Sequence, residues 1–273
     1  MAWPALKVQE CLILNSLKKM MAEFQLCISF LSRLPFGRLQ DPIPSISNAC
    51  WAFPICGMII GSITYLSFYL ALYLDVSLFI SAIIALLISI LITGGMHEDG
   101  LADSCDGIFG GKNKKTKLSI MRDSNIGTYG TLSLIIIFSL RVFILSEFDI
   151  NFSSFLSFIS IAAISRLGML FILFYLPPVR KNGLGFDAKV SNSKSLIIGC
   201  LITLIILSLS NILGLYILIF MTFTLLVVGY ISWKNIGGQT GDICGASQQL
   251  TETVGWFVLY TYLNLFFAVD KYP

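Results

Sequence analysis

The sequence predicts an all-α, polytopic integral membrane helical bundle, with about seven transmembrane helices and an N-terminal amphipathic helix that lies in the membrane interface. Of the 273 residues, 56% are hydrophobic and only 12% are charged, whereas typical soluble domains have about 25% charged residues. Apolar runs of roughly 20 residues recur along the chain without alternation of apolar and polar positions. This pattern is typical of membrane-crossing helices.

Each predicted element follows from the local pattern. The segments long and apolar enough to span a bilayer lie near residues 51–74, 77–94, 129–147, 152–176, 195–212, 213–231 and 254–270. In the first span, Gly57 and Gly61 form a small-residue pair at a spacing that favours close helix packing. Residues 16–34 mix apolar and charged side chains, as an interfacial helix does. No repeat or linker divides residues 1–273, so a single membrane domain is expected.

The distribution of lysine and arginine predicts the orientation of the chain. These residues concentrate within residues 7–38, 112–122 and 180–194, whereas the connections near Asp75, Asn211 and residues 147–151 contain none. Because short loops rich in basic residues stay on the cytoplasmic side, we expect a cytoplasmic N-terminus and cytoplasmic long loops in a bacterial inner membrane. The net charge of +3 follows from this topology and does not indicate nucleic-acid binding.

The most acidic part of the chain follows the second predicted span. Five ionisable side chains lie within residues 97–106. In a helix, Asp99, Asp103 and Asp106 occupy positions i, i+4 and i+7 and share one face. Carboxylates this close repel one another unless a cation holds them, and hard oxygen ligands suit Mg²⁺ or Mn²⁺. The sequence therefore predicts a metal site at the membrane surface.

Other residues of this segment have less specific roles. His97 is the single histidine, and helical spacing turns it away from the aspartate face. A proton carrier, a structural residue and a substrate contact are all compatible with its position. Gly100 and Gly107 flank the aspartate face, where we expect a missing side chain to let substrate approach the backbone.

A second polar cluster occupies residues 237–246, where a glycine-rich loop enters a helix. Asp242 lies near the start of that helix, where it would either cap the helix or bind a metal. Between the clusters, the side chains of Arg122 and Ser124 suit phosphate oxygens, and Asp123 would join the metal site or pair with Arg122. A simple helix start is the alternative for this stretch.

Two arginines fall within predicted spans. Arg166 lies well inside the fourth span, so it must pair with a carboxylate or bind a substrate phosphate. Arg141 is nearer the outer boundary, and we expect its side chain to reach toward the membrane surface. The loop of residues 177–187 combines prolines, glycines and two cations, which suits either closure over an anionic substrate or a plain connection.

Several motifs together resemble the cobalamin synthase family, whose members are adenosylcobinamide-GDP ribazoletransferases. They occur in order from residue 30 to residue 246, and it is their order and spacing that carry the resemblance. The matching segments are Phe30–Pro35, Gly94–Asp103 with Asp106–Gly107, Met121–Ser124 with Gly127–Thr128, Ser165–Arg166, Gly183–Gly185, and Gly238–Asp242 with Gly245–Ala246.

The resemblance implies an enzyme of cobalamin biosynthesis. Such an enzyme joins adenosylcobinamide-GDP to α-ribazole or α-ribazole 5′-phosphate with Mg²⁺, releasing GMP and forming adenosylcobalamin or its 5′-phosphate. A ribose hydroxyl then attacks a phosphoryl group, a reaction that needs charge neutralisation and a carboxylate to accept the proton. The implied metal ligands are Glu98, Asp99, Asp103, Asp106 and Asp242. Spacing does not choose between Asp103 and Asp106 as the base.

The resemblance also implies substrate contacts and partners. The residues expected to touch substrate are His97, Arg122, Asp123, Ser124, Arg166, Arg180, Gly183, Gly185 and Thr240. The expected partners are the two small-molecule substrates and membrane lipid, without nucleic acid, and a homo-oligomer is left open.

Two other functions remain as alternatives. A CDP-alcohol phosphotransferase performs the same formal reaction and has a related acidic motif, but its Ala-Arg pair is replaced here by Ile108 and Phe109. A cation-coupled transporter would place its ionisable residues near the bilayer midplane, whereas most of those in this chain lie at span ends and in loops.

Overall fold

A computed structural model describes residues 3–148, 151–190, 193–209 and 211–267. The regular elements of these residues are all helical, which confirms the predicted fold class. A single 3₁₀ turn, Cys50–Ala52, joins α2 to α3. The α-helices are α1 (Trp3–Leu31), α2 (Ile46–Ala49), α3 (Phe53–Tyr73), α4 (Leu78–Thr93), α5 (Met96–Gly110), α6 (Lys114–Ile120), α7 (Thr128–Ser146), α8 (Phe152–Tyr175), α9 (Leu184–Asp187), α10 (Ser193–Leu207), α11 (Asn211–Ile236) and α12 (Gly241–Phe267).

The lengths of the apolar helices support a multi-pass membrane protein. Within the described residues, four helical segments are long and apolar enough to cross a bilayer: Ile46–Tyr73, Thr128–Ser146, Ser153–Tyr175 and Leu213–Ile236. Helices α4 and α5 qualify only together, as a pair bent by 89°. The total of seven spans therefore stays a prediction.

The last predicted span differs from the structure at its start. Helix α12 begins at Gly241, well before the predicted start at residue 254, because the polar residues ahead of that point are also helical. The end of the predicted span, residues 268–270, lies outside the described residues.

Helix α8 is the central helix of the bundle, and it packs closely against α3. A Cβ atom on Gly61 would lie 2.6 Å from the carbonyl oxygen of Phe158, and one on Gly57 would overlap the backbone of Ala162. Only glycine permits this approach, which confirms the packing predicted for the small-residue pair.

Helix α1 is joined to the bundle through its second half. Cys27, Ile28 and Leu31 are fully buried there. Just beyond the helix, the backbone N–H of Arg33 donates to the carbonyl of Ile92, at the end of α4, over 2.7 Å. The helix starts at Trp3, before the predicted boundary at residue 16. Its inner face therefore belongs to the protein core.

Two consecutive glycines turn the chain from α4 into α5. Gly94 and Gly95 have φ values of +69° and +72°, a left-handed conformation that side chains disfavour. The resulting bend lays the acidic helix α5 across the start of α12. The two polar clusters of the sequence are thereby brought together.

Candidate active site

The crossing of α5 and α12 builds the site. A Cβ on Gly100 would lie 2.9 Å from the carbonyl oxygen of Asp242, and one on Gly245 would lie 3.1 Å from that of His97. Two glycines thus let the helix backbones approach and bring Asp242 to the acidic helix. The expectation for Gly107 was wrong, because Met121 and Lys117 fill the space beside it. Gly100 packs against α12 and also lines a cavity.

This crossing makes a testable prediction. Replacing Gly100 with Ala should push α12 away, lower the free energy of unfolding by about 1–3 kcal/mol through overpacking, and reduce turnover. Gly110→Ala is the matched control in the same helix, because a Cβ there would meet only the tip of Ile120 at 3.7 Å. Melting temperature and turnover are the measurements. Equal values for the two variants would contradict the proposed crossing.

Three carboxylates lie close together at this crossing. Burial, together with the negative charges of Asp99 and Asp242, raises the pKa of Asp103 to about 7. Burial also raises the pKa of Asp242, although Arg180 opposes this change. In the described part of the chain, the side chains of Asp99 and Asp103 make neither a hydrogen bond nor an ion pair. These two carboxylates are therefore available to a ligand.

Asp106 has structural contacts that the sequence did not predict. Its two carboxylate oxygens accept hydrogen bonds from the backbone N–H groups of Gly127, over 2.7 Å, and Gly130, over 2.9 Å. These groups belong to the start of α7, so Asp106 caps that helix from a neighbouring element. Among the described residues, both oxygens of Asp106 therefore have partners, unlike those of Asp99 and Asp103 on the same helix.

The start of α12 tests one of the two roles considered for Asp242, that of capping the helix. Thr240 is the capping residue, because its hydroxyl oxygen accepts a hydrogen bond from the N–H of Ile243 over 3.3 Å. Asp242 instead pairs with Arg180, with 3.2 Å between the guanidinium nitrogen and the carboxylate oxygen. The hydroxyl of Thr240 also lies 3.2 Å from the same carboxylate oxygen. Asp242 is thus held in place with one oxygen not used by these contacts.

The loop that carries Arg180 is fastened to the loop before α12. Val179 N–H donates to the carbonyl of Gln239 over 3.0 Å, and Gln239 N–H donates to the carbonyl of Pro177 over 2.9 Å. The amide side chain of Gln239 donates to the carbonyl of Gly185 over 2.7 Å. The two loops therefore form one wall of the site.

Two cavities meet at Asp99, which lines both. The inner cavity has a volume of about 250 Å³, and its polar lining includes His97, Asp99, Arg180, Gln239 and Asp242. The outer cavity has a volume of about 530 Å³, and its polar lining is Asp99, Asp103, Arg122, Asp123 and Ser124. Of the other predicted contacts, Gly183, Gly185 and Thr240 line the inner cavity.

Two members of the outer cavity have contacts of their own. Arg122 donates to the side chain of Asn182 over 3.4 Å, which links the outer cavity to the wall of the inner one. Asp123 accepts two hydrogen bonds from Asn125 and so stabilises its own turn. The structure records neither a pairing of Asp123 with Arg122 nor a metal-ligating geometry for Asp123 among the described residues.

Arg166 lies in a buried charge cluster, which we define as Arg141, Arg166 and Glu252. Arg166 is hydrogen-bonded to Glu252, and Arg141 lies 3.6 Å from the other oxygen of the same carboxylate. Both arginines are almost fully buried. Of the two roles left open for Arg166, the structure shows pairing with a carboxylate. The expectation that Arg141 reaches the membrane surface is wrong, because Arg141 donates to Thr253 and Gln249 inside the bundle.

His97 and Glu98 lie between the cavities and this charge cluster. His97 is fully buried, and neither ring nitrogen has a hydrogen-bond partner among the described residues. Burial, with the charge of Arg166 nearby, lowers the pKa of His97 to about 3. The ring is therefore neutral near pH 7 and does not act as a proton carrier. Glu98 accepts a hydrogen bond from Gln249 over 2.9 Å, and burial raises its pKa.

The structure also shows residues that sequence reasoning missed. Gln239 fastens the two loops, and Gln249 connects Glu98 to the charge cluster. Glu252 neutralises both buried arginines. The sequence did contain a signal for Gln249 and Glu252. Both are polar residues in a long helix, and the chain has two arginines inside predicted spans that need an anion.

The carboxylates partly match a divalent cation site. Within the described residues, no group of three His, Cys, Asp or Glu side chains has a geometry ready to hold a metal. Mg²⁺, however, is commonly bound by one or two carboxylates together with substrate phosphates and water. Asp99 and Asp242 supply such a pair of hard oxygen ligands. A cation between them would also relieve the repulsion among the carboxylates, which together with burial raises the pKa of Asp103. The chemistry of the donor set therefore fits Mg²⁺.

Comparison with known proteins identifies the family. The model of the cobalamin-5-phosphate synthase family matches residues 23–260. A protein from Bradyrhizobium diazoefficiens named adenosylcobinamide-GDP ribazoletransferase is 34% identical, over 88% of this chain and 94% of its own. Proteins of the same name from Mesorhizobium japonicum and Sinorhizobium medicae are 33% and 32% identical, over 86% and 82% of this chain and 91% and 90% of theirs. No solved structure matches significantly. The chain belongs to the cobalamin-5-phosphate synthase family.

Proposed function

We propose that this chain transfers the cobinamide-phosphate group of adenosylcobinamide-GDP to α-ribazole or its 5′-phosphate, the activity for which its relatives are named. The reaction completes the nucleotide loop of cobalamin. The single observation that best supports it is the position of Asp99, where two cavities of different character meet beside two further carboxylates. Such a junction suits a reaction between two substrates.

The bond changes define what the site must do. An oxygen of the acceptor ribose forms a bond to the phosphorus next to cobinamide, and the bond from that phosphorus to the GMP oxygen breaks. The GMP oxygen keeps the electron pair, and the hydroxyl proton goes to a carboxylate. Asp103 is our candidate for this base, because its pKa lies near the working pH and its side chain has no hydrogen-bond partner among the described residues.

The remaining groups position the substrates. Arg122 and Ser124 would bind phosphate oxygens of the donor in the outer cavity. Asp99 and Asp242 would hold Mg²⁺, which when bound supplies positive charge to the pyrophosphate. Arg180 keeps Asp242 in place. Glu98 and Asp106 act through their structural contacts, with Gln249 and with the start of α7.

We place the site on the cytoplasmic face of a bacterial inner membrane. The basic residues of 112–122 and 180–194 lie in the connections next to the site, and basic loops stay in the cytoplasm. Nucleotide substrates are available there. Protease cleavage of the 112–122 segment in inside-out but not right-side-out vesicles is the expected result; the reverse pattern would contradict this orientation.

A product assay tests the function and its cation requirement. Purified protein with adenosylcobinamide-GDP, α-ribazole and Mg²⁺ should form adenosylcobalamin, detected by mass spectrometry. Chelation with EDTA should stop the reaction, and restoring Mg²⁺ should restart it. Transfer from CDP-diacylglycerol instead would support the CDP-alcohol phosphotransferase alternative and contradict our proposal.

A further inference from the structure

The wall of the inner cavity combines apolar surface with buried polar atoms that lack partners. His97 and Gln239 are both fully buried, yet both ring nitrogens of His97 and the side-chain oxygen of Gln239 have no hydrogen bond within the described residues. Buried polar atoms without partners are rare, because leaving them unpaired costs free energy. The apolar lining includes Phe30, Phe53, Met96, Met169, Leu173 and Phe186.

The unpartnered atoms define what the ligand offers. A neutral imidazole has one donor and one acceptor, and an amide oxygen is an acceptor. The ligand therefore presents a few hydroxyl or ring-nitrogen groups to these atoms and apolar surface to the apolar side chains of the wall. The apolar side chains favour a base with few polar groups. Guanine is the competing occupant, because Asp99, Asn182 and Asp242 also line this cavity and pair with polar base edges; the donor KM measured below separates the two.

We propose that the inner cavity binds the acceptor, with the two-ring aromatic base of α-ribazole against the apolar wall and its ribose toward Asp99 and Asp242. The inference rests on the proposed function and assigns each cavity a substrate. The donor pyrophosphate then occupies the outer cavity beside Arg122 and Ser124. Asp99 lies between the two substrates, where the new bond forms.

A matched pair of phenylalanine variants tests the assignment. Phe186 lines the inner cavity and is 45% exposed, whereas Phe36 is 43% exposed and lies outside its lining. Phe186→Ala should raise the KM for α-ribazole about tenfold, a loss of about 1.4 kcal/mol of binding, and leave the KM for adenosylcobinamide-GDP within about twofold. Phe36→Ala should change neither KM. A rise in the donor KM alone, or no change in Phe186→Ala, would overturn the assignment.

A second variant examines the unpartnered imidazole. His97→Leu should weaken α-ribazole binding about tenfold, because one hydrogen bond to the ligand is lost. The melting temperature should not fall, since the variant also removes two buried atoms that lack partners. Unchanged acceptor binding together with a higher melting temperature would show that the ring does not contact the acceptor.

Direct binding separates this inference from the proposed function. Equilibrium dialysis of α-ribazole against the purified wild-type protein, without donor, measures the affinity of the protein for the acceptor alone. If Phe186→Ala binds α-ribazole more weakly than the wild-type protein does, the inference is supported. If the wild-type protein binds α-ribazole in this way but forms no product, only the proposed function fails. Product formation with acceptor binding unaffected by both variants would overturn the inference and leave the function intact.

Discussion

Replacing Asp103 with Asn should abolish transfer in a protein that still inserts and folds. The amide has nearly the same size but does not accept the proton of the ribose hydroxyl, and loss of a positioned base typically costs about 10²–10⁴-fold in rate. Because the carboxylate makes no hydrogen bond among the described residues, its loss should not destabilise the fold. Steady-state turnover and melting temperature are the two measurements.

Asp75→Asn is the control for this variant. Asp75 is an exposed aspartate in the connection between α3 and α4, with φ at +58°, a conformation that asparagine also tolerates. Normal turnover in Asp75→Asn and none in Asp103→Asn is the expected pair of results. Near-normal turnover in Asp103→Asn would contradict the assignment of Asp103 as the base.

Replacing Glu252 with Gln should strongly destabilise the protein. Glu252 neutralises Arg141 and Arg166, both of which are buried. Removing one partner of a buried ion pair leaves an uncompensated charge and typically costs about 3–5 kcal/mol. We expect the melting temperature in detergent to fall by at least about 6 °C. Glu147→Gln, an exposed glutamate at the end of α7, should change little.

A compensated variant separates charge from packing. Changing Arg141 and Arg166 to Met together with Glu252→Leu removes the whole charge cluster, and buried ion pairs replaced by apolar residues are often tolerated. Its melting temperature should exceed that of Glu252→Gln. A lower value, or no destabilisation in Glu252→Gln, would show that the cluster does not stabilise the bundle through charge pairing.

The sequence predicted the helical fold and the shared face of Asp99 and Asp103, because both depend on local patterns. Runs of apolar residues mark the helices, and the i, i+4 spacing of Asp99 and Asp103 places them on one face. The small residues Gly57 and Gly61 predicted a close contact without identifying the partner. The partner helix is α8, because its residue Phe158 lies directly against Gly61.

The partners of individual side chains depended on tertiary contacts and were not predictable. Asp106 fits the aspartate pattern as well as Asp103 does, but the start of α7 lies against it and uses both of its oxygens. Gly107 was expected to face substrate and instead faces Met121 and Lys117. The carboxylate that pairs with Arg166 is Glu252, which lies far away in the sequence. Such pairings follow from how the helices cross.

The most direct test of the account is the acceptor dependence of GMP release. In the proposed direct transfer between two substrates that meet at Asp99, the pyrophosphate bond breaks only as the acceptor oxygen bonds to phosphorus, so both substrates must be present. Purified protein with Mg²⁺ should therefore release GMP from adenosylcobinamide-GDP only when α-ribazole is added, in an amount equal to the adenosylcobalamin formed. GMP release at the same rate without α-ribazole, or no release with it, would contradict the account.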